Sequence, residues 1–397
     1  MNGAPISCLA FHFTNMVFVP SIPARIPLSE PLLDESDQRA VTAAIGSGWV
    51  GPVGPLLQDF EEKVASRAGR RYAVALSSGT AALHLALRSL DVGHGDIVIV
   101  PTLTFAATAF AAKYTGAEVV FVDVDSDTWT LEPHLLELAI KDLRKKNTSI
   151  GAVVPVDLYG YTCDYSTLAE VCGRYDIPLV VDAAEALGAT YGELSAGAIG
   201  AAAIYSFNGN KIVTSGVGGA LVTDDPGINE QVRYLSTQAR EKTPWYEHLS
   251  VGYNYRMSSL QAALGGSQLD RLDEIVATRR LITNNYRRLF RGSECIRARP
   301  EPPWGRTNGW LTTVLIETAH CGCSVPDIRA HLFAADIEVR QIWKPLHQQP
   351  VFQGNRRWTS GVSDALFHRG LCLPSSTGLS ESDLYRVYEE LTRCVEN

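Results

Sequence analysis

The chain is poor in lysine. Only Lys63, Lys113, Lys141, Lys145, Lys146, Lys211, Lys242 and Lys344 are lysines among 35 basic residues. The basic residues form no stripe and the net charge is −8, which argues against a nucleic-acid partner. Long apolar runs are missing as well. No segment reaches the roughly 18 uninterrupted apolar residues of a membrane span. The eight cysteines, at 8, 163, 172, 295, 321, 323, 372 and 394, are scattered without the spacing of a zinc site. Cys321-Gly322-Cys323 is too tight for the usual gap. Reduced thiols are expected, and no metal. Met1 to Pro23 contains neither lysine nor arginine, so it lacks the basic start of a signal peptide. Residues 1–24 are expected to be a disordered extension, with Met16 a second candidate start, and the protein is expected to be cytoplasmic. No G-x-x-x-x-G-K-[S/T] loop occurs, and Gly216-Val217-Gly218 fails the dinucleotide pattern because Leu221 stands at its third glycine.

Against this scarcity, a lysine inside a glycine- and asparagine-rich loop needs a reason. Lys211 ends Ser206-Phe207-Asn208-Gly209-Asn210-Lys211 and is followed by Ser215-Gly216-Val217-Gly218-Gly219. Upstream, β-branched runs alternate with helical patterns. Strands are predicted at 72–76, 97–100, 119–122, 152–156, 179–182, 203–207 and 220–223. Helices are predicted at 80–91, 105–114, 132–146 and 164–174. In the first, Leu83, Leu87 and Leu90 share one helical face. Such alternation implies an α/β fold with a mostly parallel sheet covered by helices on both faces. A long helical pattern over 258–290 then leads to a smaller α+β unit, with an apolar run at 311–316 and helices near 325–335 and 380–393. The predicted division is a large cofactor-binding domain over 25–257, and a linking helix with a small C-terminal domain over 258–397.

Ligands of such sheets bind outside the carboxyl ends of the strands. Ser78-Gly79-Thr80, Phe105, Asp157, Asp182 and Ser206 all fall at or just after predicted strand ends. Together they offer an amine, a carboxylate and a phosphate cradle, which is what pyridoxal phosphate requires. Lys211 would condense with the cofactor aldehyde and later carry a proton, for which burial lowers a lysine's pKa. Asp182 would keep the pyridine nitrogen protonated. Gly79 lets the backbone approach a phosphate at a helix N-terminus, Ser206 can add a hydroxyl, and Phe105 can pack on the ring. Taken singly, each has a plainer reading: a loop lysine, a capping aspartate, a buried phenylalanine.

Five motifs carry a resemblance over about residues 26–391. They are Ser77 to His84, Pro101 to Phe105, Asp182 to Gly188, Ser206 to Lys211 and Gly252-Tyr253-Asn254-Tyr255-Arg256-Met257-Ser258. In this order they resemble the pyridoxal phosphate-dependent nucleotide-sugar aminotransferases of the DegT/DnrJ/EryC1/StrS group, which have the fold type I (aspartate-aminotransferase) architecture. The resemblance implies that Lys211 is the cofactor-bonding lysine and Asp182 the acid at the pyridine nitrogen. Glu185 would face the phenolic oxygen, while Ser78, Gly79, Thr80 and Ser206 would serve the phosphate. Asn254 would reach the neighbouring subunit's site, so a homodimer with shared active sites is expected. Glu185 and the stretch from Val339 to Pro350 are similar to enzymes that aminate C4 of 4-keto-6-deoxyhexoses, although Gln341 stands where a proline is expected. Arg256, Arg340 and His347 are candidate substrate ligands; either arginine could equally serve a structural ion pair. The expected reaction moves the amine of L-glutamate to a dTDP- or UDP-linked 4-keto sugar. A 3-aminotransferase, a sugar dehydratase and a non-catalytic sugar-nucleotide sensor are the alternatives.

Overall fold

A computed structural model describes residues 25–146 and 148–395; the expectations for residues 1–24 lie outside it. Seven strands build the main sheet: β1 (Tyr72–Leu76), β2 (Asp96–Pro101), β3 (Glu118–Val122), β4 (Ser149–Val153), β5 (Val180–Asp182), β6 (Ala202–Ser206) and β7 (Gly219–Thr223). Their order is β1-β7-β6-β5-β4-β2-β3, with single parallel bridges Val153–Leu179 and Val156–Asp182 joining β4 to β5. All pairs are parallel except those of β7, which runs antiparallel to β1 and β6. The strand predicted at 152–156 is shifted. Pro155 has no N–H to give, so the regular ladder ends at Val153 and only Val156 rejoins its neighbour.

Helices cover both faces: α1 (Glu35–Ser47), α2 (Pro55–Ala68), α3 (Gly79–Ser89), α4 (Ala106–Tyr114), α5 (Pro133–Arg144), α6 (Tyr165–Gly173) and α7 (Pro226–Ser236). Strand side chains alternate between the two apolar layers so formed. Ala73, Ala75, Ile97 and Ile99 enter one, and Val74, Leu76, Val98 and Val100 the other.

The helix predicted over 258–290 is two helices, α8 (Ser259–Asp270) and α9 (Leu272–Leu289). At Arg271 the backbone leaves helical geometry (φ −104°, ψ 9°). Its guanidinium is held there by Asp34 (2.7 Å) and Asp37 (2.6 Å) at the start of α1. Periodicity alone could not show this break, because the apolar pattern continues across it. Then follow β8 (Ile296–Ala298), β9 (Thr312–Ile316), α10 (Val325–Ala334), β10 (Arg340–Gln341), β11 (Arg357–Trp358), α11 (Val362–Arg369), β12 (Gly370–Leu373) and α12 (Glu381–Val395). β8, β9, β12 and β10 form a second, antiparallel sheet in that order. Two segments cross the line drawn at 257/258. Ile26 bridges Ile337, and β11 adds itself in parallel to β3 at the edge of the main sheet. No helix among the described residues is long and apolar enough to cross a membrane.

Candidate active site

The site grows from the carboxyl ends of the strands. After β1 the chain turns at Ser78, which caps α3 by accepting the Ala81 N–H (3.0 Å). The amides of Gly79 and Thr80 then occupy the first turn, where no earlier helical carbonyl can take them. Glycine is required here by packing. A Cβ on Gly219 in β7 would lie 2.4 Å from Gly79 N, and one on Gly79 would meet Ser206 Cβ at 3.2 Å.

β6 and β7 are antiparallel neighbours, and their connection is a loop that returns over the strand ends. Phe207 N donates to Gly218 O and Ser215 N to Phe207 O, each at 2.9 Å. Lys211 rides on this loop. Its Nζ stands 3.7 Å from Glu185 Oε1 and 4.0 Å from the centre of the Trp310 ring, and its side chain is 14% exposed. Burial lowers the lysine's pKa, while Glu185 and Asp182 oppose that shift. Glu185 is itself buried, and burial raises its pKa against the pull of Lys211 and of the Tyr159 N–H, which donates to Oε2 at 2.7 Å. Burial thus moves the two groups in opposite senses, the acid up and the amine down, and each partner's charge opposes the other's shift.

Asp182 ends β5 and is buried. Burial raises its pKa, opposed by Thr108 Oγ1 (2.7 Å), the Ala184 N–H (3.2 Å) and Lys211. A cationic ring nitrogen opposite it would favour the ionised form. A cavity of about 290 Å³ is lined by Ser78, Gly79, Thr80, Phe105, Asp182, Glu185, Ser206 and Lys211, together with Trp310 and Trp343. Pyridoxal phosphate fits this donor set. Two first-turn amides and the hydroxyls of Thr80 and Ser206, which have no partner among the described residues, suit a phosphate. The amine and the buried acid suit the aldehyde and the ring nitrogen.

The other sequence candidates lie elsewhere. Arg256 pairs with Glu61 (2.8 Å) and donates to Ala75 O (3.1 Å), on a separate open groove of about 1120 Å³. Arg340 is largely exposed and pairs with Glu338 at 2.9 Å. His347 bridges Thr102 Oγ1 (2.6 Å) and Asp364 Oδ1 (3.2 Å). Asn254 is exposed, bridged to Thr237 and absent from the cavity wall. Sequence reasoning missed Trp310, Trp343, Tyr159 and Thr108. Tyr159 stacks between the two tryptophans (ring centres 6.3 and 5.8 Å apart), in a left-handed conformation (φ 57°) rare for a non-glycine residue. Two signals could have led there: Trp343 lies inside the stretch from Val339 to Pro350, and the turn Asn308-Gly309-Trp310 stands just before the apolar run at 311–316.

The chain's relatives agree with this geometry. The DegT/DnrJ/EryC1/StrS aminotransferase family matches residues 31–392. EpsN of Bacillus subtilis is 41% identical, over 92% of this chain and 95% of that protein. GDP-perosamine synthase of Caulobacter vibrioides is 36% identical, over 92% and 97%. Among solved structures, DesI, crystallised in the presence of its TDP-sugar product, superposes with a TM-score of 0.84 at 30% identity, covering 94% of this chain and 93% of that one. The chain therefore belongs to the DegT/DnrJ/EryC1/StrS family and is a pyridoxal phosphate-dependent sugar aminotransferase.

Proposed function

We propose that the enzyme transfers the amine of L-glutamate to C4 of a nucleotide-linked 4-keto-6-deoxyhexose. The observation that carries the chemistry is the convergence of Lys211, Glu185 and Asp182 on one cavity beside the first turn of α3. When bound, the cofactor supplies an electron sink and holds the amine between the two half-reactions. Lys211 Nζ anchors it and carries the proton to and from the amine-bearing carbon of each substrate, a role its lowered pKa favours. Asp182, oriented by Thr108, holds the ring nitrogen's proton. Glu185 orients the lysine and would face the cofactor's phenolic oxygen. Gly79, Thr80 and Ser206 would bind the phosphate; Phe105, which is 54% exposed rather than buried and lies beside Trp343 on the cavity, would pack on the ring; and Asn254 would complete the site of a second subunit.

Glu185 and the segment from Val339 to Pro350 support C4. Trp343, within that segment, lines the cavity. For the nucleotide, the GDP in the Caulobacter relative's name extends the choice beyond dTDP and UDP, while the TDP-sugar product of DesI stays within it. The test is incubation of the holoenzyme with GDP-, dTDP- and UDP-linked 4-keto-6-deoxyhexoses and a 3-keto isomer, with L-glutamate as donor and NMR of the product. A 4-amino sugar is expected. A 3-amino product overturns the regiochemistry. No turnover of any of these sugars by an enzyme that has bound its cofactor overturns this choice of substrate class.

A further inference from the structure

Trp310 is 1% exposed and is held from several sides. Its Nε1 donates to Asn210 O (2.6 Å), its N–H to Asn308 Oδ1 (2.8 Å), and its ring stacks on Tyr159. Its carbonyl accepts from Arg279 Nη1 (3.1 Å). Arg279 is fully buried, and among the described residues its partners are all uncharged oxygens: Ser29 Oγ (3.0 Å), Thr377 Oγ1 (3.0 Å), Glu30 O (3.2 Å) and that carbonyl. Burial pushes the guanidinium's pKa down to about 10. A buried charge without a carboxylate is costly, so its position calls for a use. Ser29 Oγ donates in turn to Asn210 O (3.0 Å). The residue preceding Lys211 is thus gripped by Ser29 and Trp310, and Arg279 braces both.

We propose that the indole face of Trp310 is the docking place of the Lys211 ammonium whenever that amine is not bonded to the cofactor, with Arg279 as the positioning residue that fixes this face. The inference rests on the reading of Lys211 as the cofactor-bonding lysine. An indole face attracts a cation through its quadrupole, and among the described residues no other aromatic face lies over this amine. Glu185 faces the same nitrogen with its carboxylate at 3.7 Å. The lysine must leave the cofactor in the first half-reaction and return to it in the second. A face built into the wall keeps the released amine close to its point of return. It also favours the protonated amine, opposing the effect of burial.

The test reads Lys211 in the cofactor-free protein. Its protonation midpoint is measured by pH-dependent labelling with acetic anhydride and peptide mass spectrometry, for the wild type, Trp310→Phe and Trp310→Leu, with folding checked by circular dichroism. The amine's proton affinity should fall in the order wild type, Phe, Leu, by about 3- to 30-fold across the series. Equal midpoints in the folded proteins overturn the inference. If the leucine variant fails to fold, wild type grown with 5-fluorotryptophan decides, because fluorine weakens the face and keeps its shape. An unchanged midpoint there also overturns it. Borohydride reduction of the holoenzyme separates the two readings: cofactor found on a peptide lacking Lys211 refutes the assignment of the lysine itself.

Discussion

Asp157 shows what burial does to a single residue at this site. It is fully buried one residue beyond Val156, accepts the Cys163 N–H (2.9 Å) and the Tyr165 hydroxyl, and gives its own N–H to Asp182 O (2.9 Å). Burial pushes its carboxyl up to about 7. An unfolded aspartate loses its proton near 3.9. Between those values the folded chain holds a proton that the unfolded chain does not, so this group makes stability fall as pH rises. Asp157→Asn should therefore gain stability relative to the wild type as pH rises between about pH 4 and about pH 7, read from urea midpoints. A difference that does not change with pH would mean that Asp157 is already charged in the fold. The position of Asp157 at a strand end was legible in the sequence. Its proton was not, because desolvation depends on Tyr165 and Cys163 closing over it.

At the scale of elements, the antiparallel placement of β7 makes the site. It turns the connection after β6 into a loop that carries Lys211 back over the strand ends, and it presses Gly219 against the start of α3. Gly219→Ala would place a methyl 2.4 Å from Gly79 N and Ser78 C, and the turn must shift. We expect the cofactor's dissociation constant, followed by absorbance titration, to rise about tenfold or more, with a loss of about 1–3 kcal/mol in stability. Unchanged cofactor affinity would separate this turn from phosphate binding. A buried strand's composition does not encode its direction, so the sequence showed a strand at 220–223 and left its reversal unseen. The outer edge of β1 is covered by α2 and the segment before α8, Arg256 bridging Leu76. Glu61 accepts the Ala75 N–H (2.8 Å) and pairs with Arg256 and Arg233, each at 2.8 Å. Arg256 thus blunts an edge strand that could otherwise pair with another chain.

For the whole molecule, the decisive expectation is that sites are shared between two subunits. Asn254 is exposed and lies off the wall of its own chain's cavity, the placement a cross-subunit ligand needs. Lys211→Ala and Asn254→Ala should each be nearly inactive alone. Unfolded and refolded together, they should recover about a quarter of wild-type activity, because half the dimers are mixed and each mixed dimer holds one intact site. No recovery, in samples shown by sedimentation to be dimeric, would confine Asn254 to its own subunit. The two units of the chain are also tied together: Ile26 belongs to the small unit's core, while β11 extends the main sheet.

Ser77 to His84, Asp182 to Gly188 and Ser206 to Lys211 were readable from the chain alone, and with them the cofactor and the α/β class. Each is a strand end followed by a turn or helix start, built by contiguous residues whose conformational preferences are local. The parallel sheet then brings their polar groups to one edge. Packing between distant segments decided the rest. Thr108 reaches Asp182 only because the start of α4 comes to lie beside the end of β5, and Trp310 meets Lys211 only because the segment before β9 folds onto the loop after β6. Arg256 turned to Glu61, and Arg271 broke a continuous apolar pattern to reach α1. In each case the partner is remote in sequence, and the contact exists only once the core has closed around it.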